Sequence, residues 1–406
     1  TRLFIPICLE TLFYMLSGMV DTLMLSAVGD YAVGAVGTAN SYIGIFIIMF
    51  SIISSGMVSV MTQNIGAGRP GVAYQARQLG LLFNAVAGVL MAVFLFSGAG
   101  AILRMVGIAD ALYEPALIYL KIVGGGCILN AVIPIFSSYL RAFGYTKQPL
   151  YATIVGNIAN FVMNAVFLFV LHKGVAGVAA ATVISKILNL CIVLYFSHKL
   201  ISAKNSTERI ANKTVLGQIV KVGLPSACET ALYNVAMMLV IRFLNQMDAE
   251  GLNVTARSYT ATISNFSYCV GAALAQANAI MTGWHIGAGE LEECDRGTKR
   301  AAFVGVCVAV CMETAIVLGS GFIMPLFTDN PEMTALVRKL LAIDIVLEIG
   351  RVTNLVFGQA LKTSGDAVFP AVIAAVFMFV FAVGGTWLFG ISMGLMAVGA
   401  YIGLAS

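Results

Sequence analysis

Apolar runs of about 20 residues or more, enough to cross a hydrocarbon core of roughly 30 Å, recur from one end of the chain to the other. Short clusters of charged and turn-forming residues separate them. Reading those clusters as breaks predicts about twelve spans, near residues 2–27, 38–66, 75–104, 113–141, 149–171, 175–200, 215–247, 254–286, 300–327, 332–362, 368–390 and 394 onward. The expected fold class is an all-α polytopic membrane protein with no soluble domain. The last span stops at Ser406 and the first residue is Thr1 rather than Met, so both ends of the protein are expected to be missing. No cleavable signal peptide is recognisable.

Composition agrees with this reading. The chain is 60% hydrophobic and 10% charged, against roughly 25% charged residues in soluble domains. The net charge of +4 matters less than where the basic residues lie. Loops after even-numbered spans carry Arg69, Arg77, Arg141, Lys147, Lys199, Lys204, Arg209, Lys213, Arg296, Lys299 and Arg300. Loops after odd-numbered spans are poorer in Lys and Arg and carry Asp30, Asp110, Asp248, Glu250 and Asp329. The positive-inside rule then places the first set of loops and the N-terminus in the cytoplasm. The longest polar stretch, SHKLISAKNSTERIANKTVLGQ, is read as a solvated cytoplasmic linker and not as a nucleic-acid or anionic-lipid patch. Seven of the eight cysteines lie in apolar spans, where Cys acts as a small hydrophobe, and neither disulfides nor a metal site are expected from them.

The two halves match each other. PICLETLFY at 6–14 and PSACETALY at 225–233 share Pro, Glu, Thr and Tyr at one spacing, an offset of 225 − 6 = 219. IGAG at 65–68 recurs at 286–289, and LRAFGYTKQP at 140–149 aligns with LKTSGDAVFP at 361–370, both at an offset of 221. Three matches in order at nearly one offset indicate an internal duplication. Each repeat holds six spans, so both insert with the same orientation. The predicted domains are a six-helix bundle over 1–200, a linker over 201–214 and a second six-helix bundle over 215–406 with its last helix truncated. Parallel repeats of this kind are typical of transporters with a central site.

Polar residues do not follow the duplication. Asp21 maps onto Val240, Asn160 onto Phe381, Asn164 onto Gly385 and Thr182 onto Gly403. At a rise of 1.5 Å per residue, Asp21, Asn164 and Thr182 each lie roughly 9–10 Å inside the outer end of their spans. Asn160 is one turn below Asn164 on the same face. Four oxygen-bearing side chains from three helices thus share one depth in the first bundle. Hard cations take such oxygen cages, and a carboxylate there can instead hold a proton. For each Asn or Thr alone, an interhelical hydrogen bond is the simpler reading. For Asp21 a functional role is favoured, because an acid inside a membrane span is costly.

Other charges in the spans are weighed in the same way. Glu10 and Glu229 are repeat-related and read as structural. Glu348 and Arg351, at i, i+3, read as a self-neutralising pair with Asp344 nearby, and these five residues are secondary polar candidates. Lys186 and Glu313 have no evident partner in the sequence.

The stretches MVDTLMLSAVG, QNIGAGR, NIANFVMNAVF, GVAGVAAATVIS and EIGRVTNLVFGQALKTSGD resemble the multidrug and toxic compound extrusion (MATE) transporters, prokaryotic type, over essentially the whole chain. The resemblance implies a V-shaped pair of bundles and a secondary active antiporter working by alternating access. It would export amphipathic organic cations in exchange for sodium ions or protons. By that resemblance the cation site maps onto Asp21, Asn160, Asn164 and Thr182. Many prokaryotic members carry Asp where this chain has Asn164, leaving one formal negative charge. Another branch carries an acid where Arg351 stands, which leaves a carboxylate mechanism in the second bundle to Glu348 or Asp344.

The expectation is therefore a monomeric transporter in a bacterial or archaeal cytoplasmic membrane, contacting membrane lipids but no nucleic acid. No cofactor is expected beyond the coupling ion, and no metal beyond sodium at Asp21. The alternative is a flippase for lipids or lipid-linked saccharides, which needs a more cationic centre than the few mid-span Lys and Arg provide. An intramembrane enzyme would need a catalytic pair, but His172, His198 and His285 lie near span ends. A non-transporting receptor would not require duplicated bundles.

Overall fold

The computed structural model describes residues 2–106, 108, 110–201, 208–247, 252–326 and 330–405. Residues 202–207 of the linker, with Lys204, and the loop acids Asp248, Glu250 and Asp329 lie outside the described residues. The described residues are almost entirely helical and contain no strand. In chain order the helices are α1 (Phe4–Ser26), α2 (Asp30–Gly66), α3 (Pro70–Val106), α4 (Asp110–Gly125), α5 (Cys127–Ala142), α6 (Lys147–Ala165) and α7 (Gly174–Leu200). They continue with α8 (Asn212–Met247), α9 (Leu252–Ala288), α10 (Leu291–Ile323), α11 (Pro331–Ser364), α12 (Val368–Phe377) and α13 (Met396–Ala405).

By length and composition, eight of these stretches can cross a membrane, and the bent pair α4–α5 makes a ninth. Helices α9 and α11 are equally long, at 37 and 34 residues, but too polar to qualify by composition. Among the charges on α11 are Asp344, Glu348 and Arg351. With α9, α11 and the short apolar α13, the count is 9 + 3 = 12.

Several helices outrun the predicted spans because nothing in the polar flank breaks them. Thus α3 starts at Pro70, whose fixed φ and missing N–H suit a first helical position. Similarly, the Asn330 side chain caps α11, accepting from the backbone N–H of Glu332 at 2.9 Å and of Met333 at 3.3 Å. The predicted fourth span breaks at Gly124–Gly125–Gly126, where α4 and α5 meet at 41°. Consecutive glycines weaken a helix enough for neighbours to set such a kink.

The first compact unit comprises Thr1–Gly223 with Gly287–Gly289. Here α6 packs against α1 and α7, while α3 packs against α2, α4 and α5. Buried Asn84 of α3 donates to the carbonyls of Phe50 on α2 (3.3 Å) and Ala131 on α5 (3.0 Å), a polar tie between three helices. The start of α8 also belongs to this unit. A Cβ on Gly56 would collide with the Ile219 carbonyl, and one on Gly223 with the Ile52 carbonyl, so α2 and α8 cross here only because both residues are glycine. Gln75 of α3 fixes the chain entering α8, donating to the Ile210 carbonyl at 2.7 Å and accepting from the Ile210 N–H at 3.2 Å.

The second unit comprises Leu224–Ile286 and Glu290–Ser406. Its main core gathers Val240 and Leu244 of α8, Ala256 and Ile263 of α9, Leu340 and Leu341 of α11, and Ala400 and Tyr401 of α13. The duplication reaches local geometry. In the first repeat α6 ends in a π-helical turn, Val166–Val170, and in the second Thr386–Ser392 is π-helical. Adding 221 to 166–170 gives 387–391, inside that second turn.

Candidate functional site

In the first unit, α1 and α6 are tied together by Asn157, whose amide donates to the Phe13 carbonyl at 2.9 Å. Two turns further along α6, one amide nitrogen joins the predicted cluster. Asn164 Nδ2 donates to Asp21 Oδ1 at 2.9 Å and to Asn160 Oδ1 at 3.1 Å. Asn164 is fully buried, and its Oδ1 is a buried acceptor with no hydrogen-bond partner. Buried acceptors are seldom left that way.

Thr182 joins less directly. Its hydroxyl donates to the Val178 carbonyl of its own helix at 2.9 Å. The buried Tyr119 hydroxyl of α4 lies in hydrogen-bonding reach of Thr182 and of Asn40 on α2, and within electrostatic range of Asp21. Asp21, Asn160 and Asn164 are thus in one hydrogen-bonded chain, and Thr182 stands beside it, in reach of Tyr119, which meets Asp21 only electrostatically. The oxygen atoms these residues offer are the Asp21 carboxylate, the unpaired Asn164 Oδ1 and the Thr182 and Tyr119 hydroxyls. Such a set fits a hard monovalent cation or a shared proton. Tyr119 and Asn40 gave no signal in the sequence, since an aromatic residue or an Asn in a span is ordinary packing.

Lys186, one turn beyond Thr182 on α7, has a partner that the sequence did not disclose. Its ammonium donates to Asn130 Oδ1 of α5 at 2.7 Å. It also lies close enough to Asp21 to stabilise the carboxylate electrostatically. With Asp21 at −1 and Lys186 at +1, the cluster is formally neutral before any ion arrives.

The repeat-related acids have repeat-related partners. Glu10 pairs with Arg141 at 2.5 Å in the first unit, and Glu229 with Lys362 at 2.8 Å in the second. Arg141 + 221 is 362, so the pair is duplicated as a pair. Each pair joins the first helix of its repeat to the helix that carries the third shared motif. On α11, Arg351 is hydrogen-bonded to Glu348 and lies 3.8 Å from Asp344, both of which are buried.

The MatE family model matches residues 6–166 and 225–401, two segments whose starts differ by the 219 residues of the duplication. The uncharacterized transporter YisQ of Bacillus subtilis (strain 168) is 32% identical over 403 residues, covering 98% of this chain and 88% of that relative. A multidrug resistance MATE family transporter of the MOP superfamily, solved in an outward-facing conformation, superposes with a TM-score of 0.90 at 20% identity, covering 100% of this chain and 90% of that one. A MOP superfamily transporter from Pyrococcus furiosus, whose description reports a binding pocket of reverse polarity suggesting a different function, superposes with a TM-score of 0.87 at 20% identity, covering 100% and 91%. At such identities the two superpositions establish the fold.

Proposed function

Because the chain belongs to the MatE family and is a membrane transporter of that type, we propose that it is a secondary active antiporter exporting amphipathic organic cations in exchange for sodium ions or protons. The observation that carries this reading is the hydrogen-bonded chain Asp21–Asn164–Asn160, found in one repeat and absent from its twin. Scaffold residues recur at the repeat offset, as the Glu10–Arg141 and Glu229–Lys362 pairs do. An acid that does not recur is held for another purpose.

In this mechanism a cation or proton taken up at Asp21 binds one state of the transporter better than the other. That difference, and nothing else, allows the ion gradient to drive the change between inward- and outward-open states. Asn160 and Asn164 orient the carboxylate, Asn164 Oδ1 and the Thr182 hydroxyl complete an oxygen shell, and Tyr119 positions Thr182. Lys186 competes with the incoming ion for Asp21, so ion binding is weak enough to be reversible. The setting is the cytoplasmic membrane, with the N-terminus inside.

The test is uptake of a fluorescent organic cation by proteoliposomes under imposed sodium or proton gradients, each varied separately. Gradient-dependent accumulation is the expected result. A protein that ignores both gradients, or moves a fluorescent lipid between leaflets instead, overturns the proposal.

A further inference from the structure

We propose that the second unit holds its own binding site for a hard metal cation, formed by Glu313 of α10 with Asp344 and Glu348 of α11 and completed by Ser267 of α9. One carboxylate oxygen from each acid lies within 4.8 Å of the other two. Ion–oxygen distances of about 2.3–2.6 Å put opposite ligands of one ion at that kind of separation. Asp344 and Glu348, at i, i+4, share a face of α11, and α10 packs along that helix.

The charge count calls for a ligand. With all three carboxylates ionised against the Arg351 guanidinium, the buried cluster carries −3 + 1 = −2, a charge that bound cations or protons must offset. Arg351 meets Glu348 and Asp344 from one side, and its guanidinium also lies 6.0 Å from the Tyr268 ring centroid. It leaves both oxygens of Glu313, Asp344 Oδ2 and Glu348 Oε2 buried without a hydrogen-bond partner. Uncompensated buried charge of this size is strongly unfavourable.

A second, independent observation comes from α9. The hydroxyls of Ser264 and Ser267 are buried, make no well-formed hydrogen bond, and approach Asp344 and Glu313 respectively. Ser267 is fully buried. Oxygen ligands from three helices, two of them neutral, define a cage for a hard ion and not for a soft one. A divalent ion would neutralise the cluster completely.

This inference does not rest on the Asp21 reading, and one experiment separates the two. Melting temperature is measured on the purified full chain in detergent, with calcium, magnesium or sodium chloride titrated against choline chloride at matched ionic strength. A bound ion raises the melting temperature saturably. The expected result is a rise of a few degrees with at least one metal salt over choline, kept in Asp21→Asn and lost in Glu313→Gln. Ser267→Ala, which leaves every charge in place, is expected to weaken the apparent affinity several-fold and serves as the deciding variant if Glu313→Gln does not fold. No metal-specific rise, a rise that survives Glu313→Gln, or an affinity unchanged in Ser267→Ala overturns the proposal.

Discussion

Asn164 turns its amide nitrogen towards Asp21 and leaves its own oxygen unpaired, so one residue both supports the carboxylate and keeps a ligand atom free. Replacing it by Asp removes that donor and sets a second negative charge against Asp21. In Asn164→Asp we expect a stability loss of about 1–3 kcal/mol in sodium-free buffer. Sodium should restore it, as a thermal melt against sodium concentration will show, and a sodium-independent melt would refute this. Lys186 acts in the opposite sense. Removing its charge in Lys186→Met should tighten sodium binding at Asp21 by on the order of tenfold, about 1.4 kcal/mol, measurable by isothermal titration. Asp21, Asn160 and Asn164 were legible in the sequence because one residue type is anomalous in a span and the other two are a helical turn apart. The Lys186–Asn130 and Tyr119–Thr182 contacts were not, because they depend on how α4 and α5 turn against α7, which no spacing within one helix encodes.

At the scale of the helix, the spans were legible from apolar run length, but their interruptions were not. The triple glycine at 124–126 lies inside the mostly apolar stretch 113–141, so periodicity alone carries one helix through it. The π-helical turn after Asn164 leaves no compositional mark either, although such turns gather at functional sites. It follows Asn164 by two residues and resets the backbone just beyond the cluster. The crossing of α2 and α8 makes a sharper claim. Gly56→Val places a side chain against the Ile219 carbonyl, and should cost about 1–3 kcal/mol or more by overpacking. A lowered melting temperature in detergent and loss of the monodisperse peak on gel filtration are the expected outcome, and a wild-type melt would remove the crossing from the account.

Across the whole molecule, the duplication was the most informative feature of the sequence, because it separates what both repeats need from what one repeat keeps. Glu10 and Glu229 fall in the first class, and their partners Arg141 and Lys362 sit at one position of the third shared motif. The sequence showed the acids as repeat-related but gave no reason to pair them with cations 131 and 133 residues away (141 − 10 and 362 − 229). Glu10→Ala and Glu229→Ala each strand a mostly buried cation, so each should destabilise its own unit, by about 3–5 kcal/mol in the drier case. Melts of the two variants should fall together, and a loss confined to one of them would deny the pairs a common structural role. The polar cluster belongs to the second class, and its claim is functional. The measurement that bears on it most directly is gradient-driven uptake of a fluorescent organic cation by proteoliposomes containing Asp21→Asn beside wild type. The account predicts that the variant folds, reconstitutes and loses the response to both sodium and proton gradients. Gradient-driven uptake that persists in Asp21→Asn would contradict it.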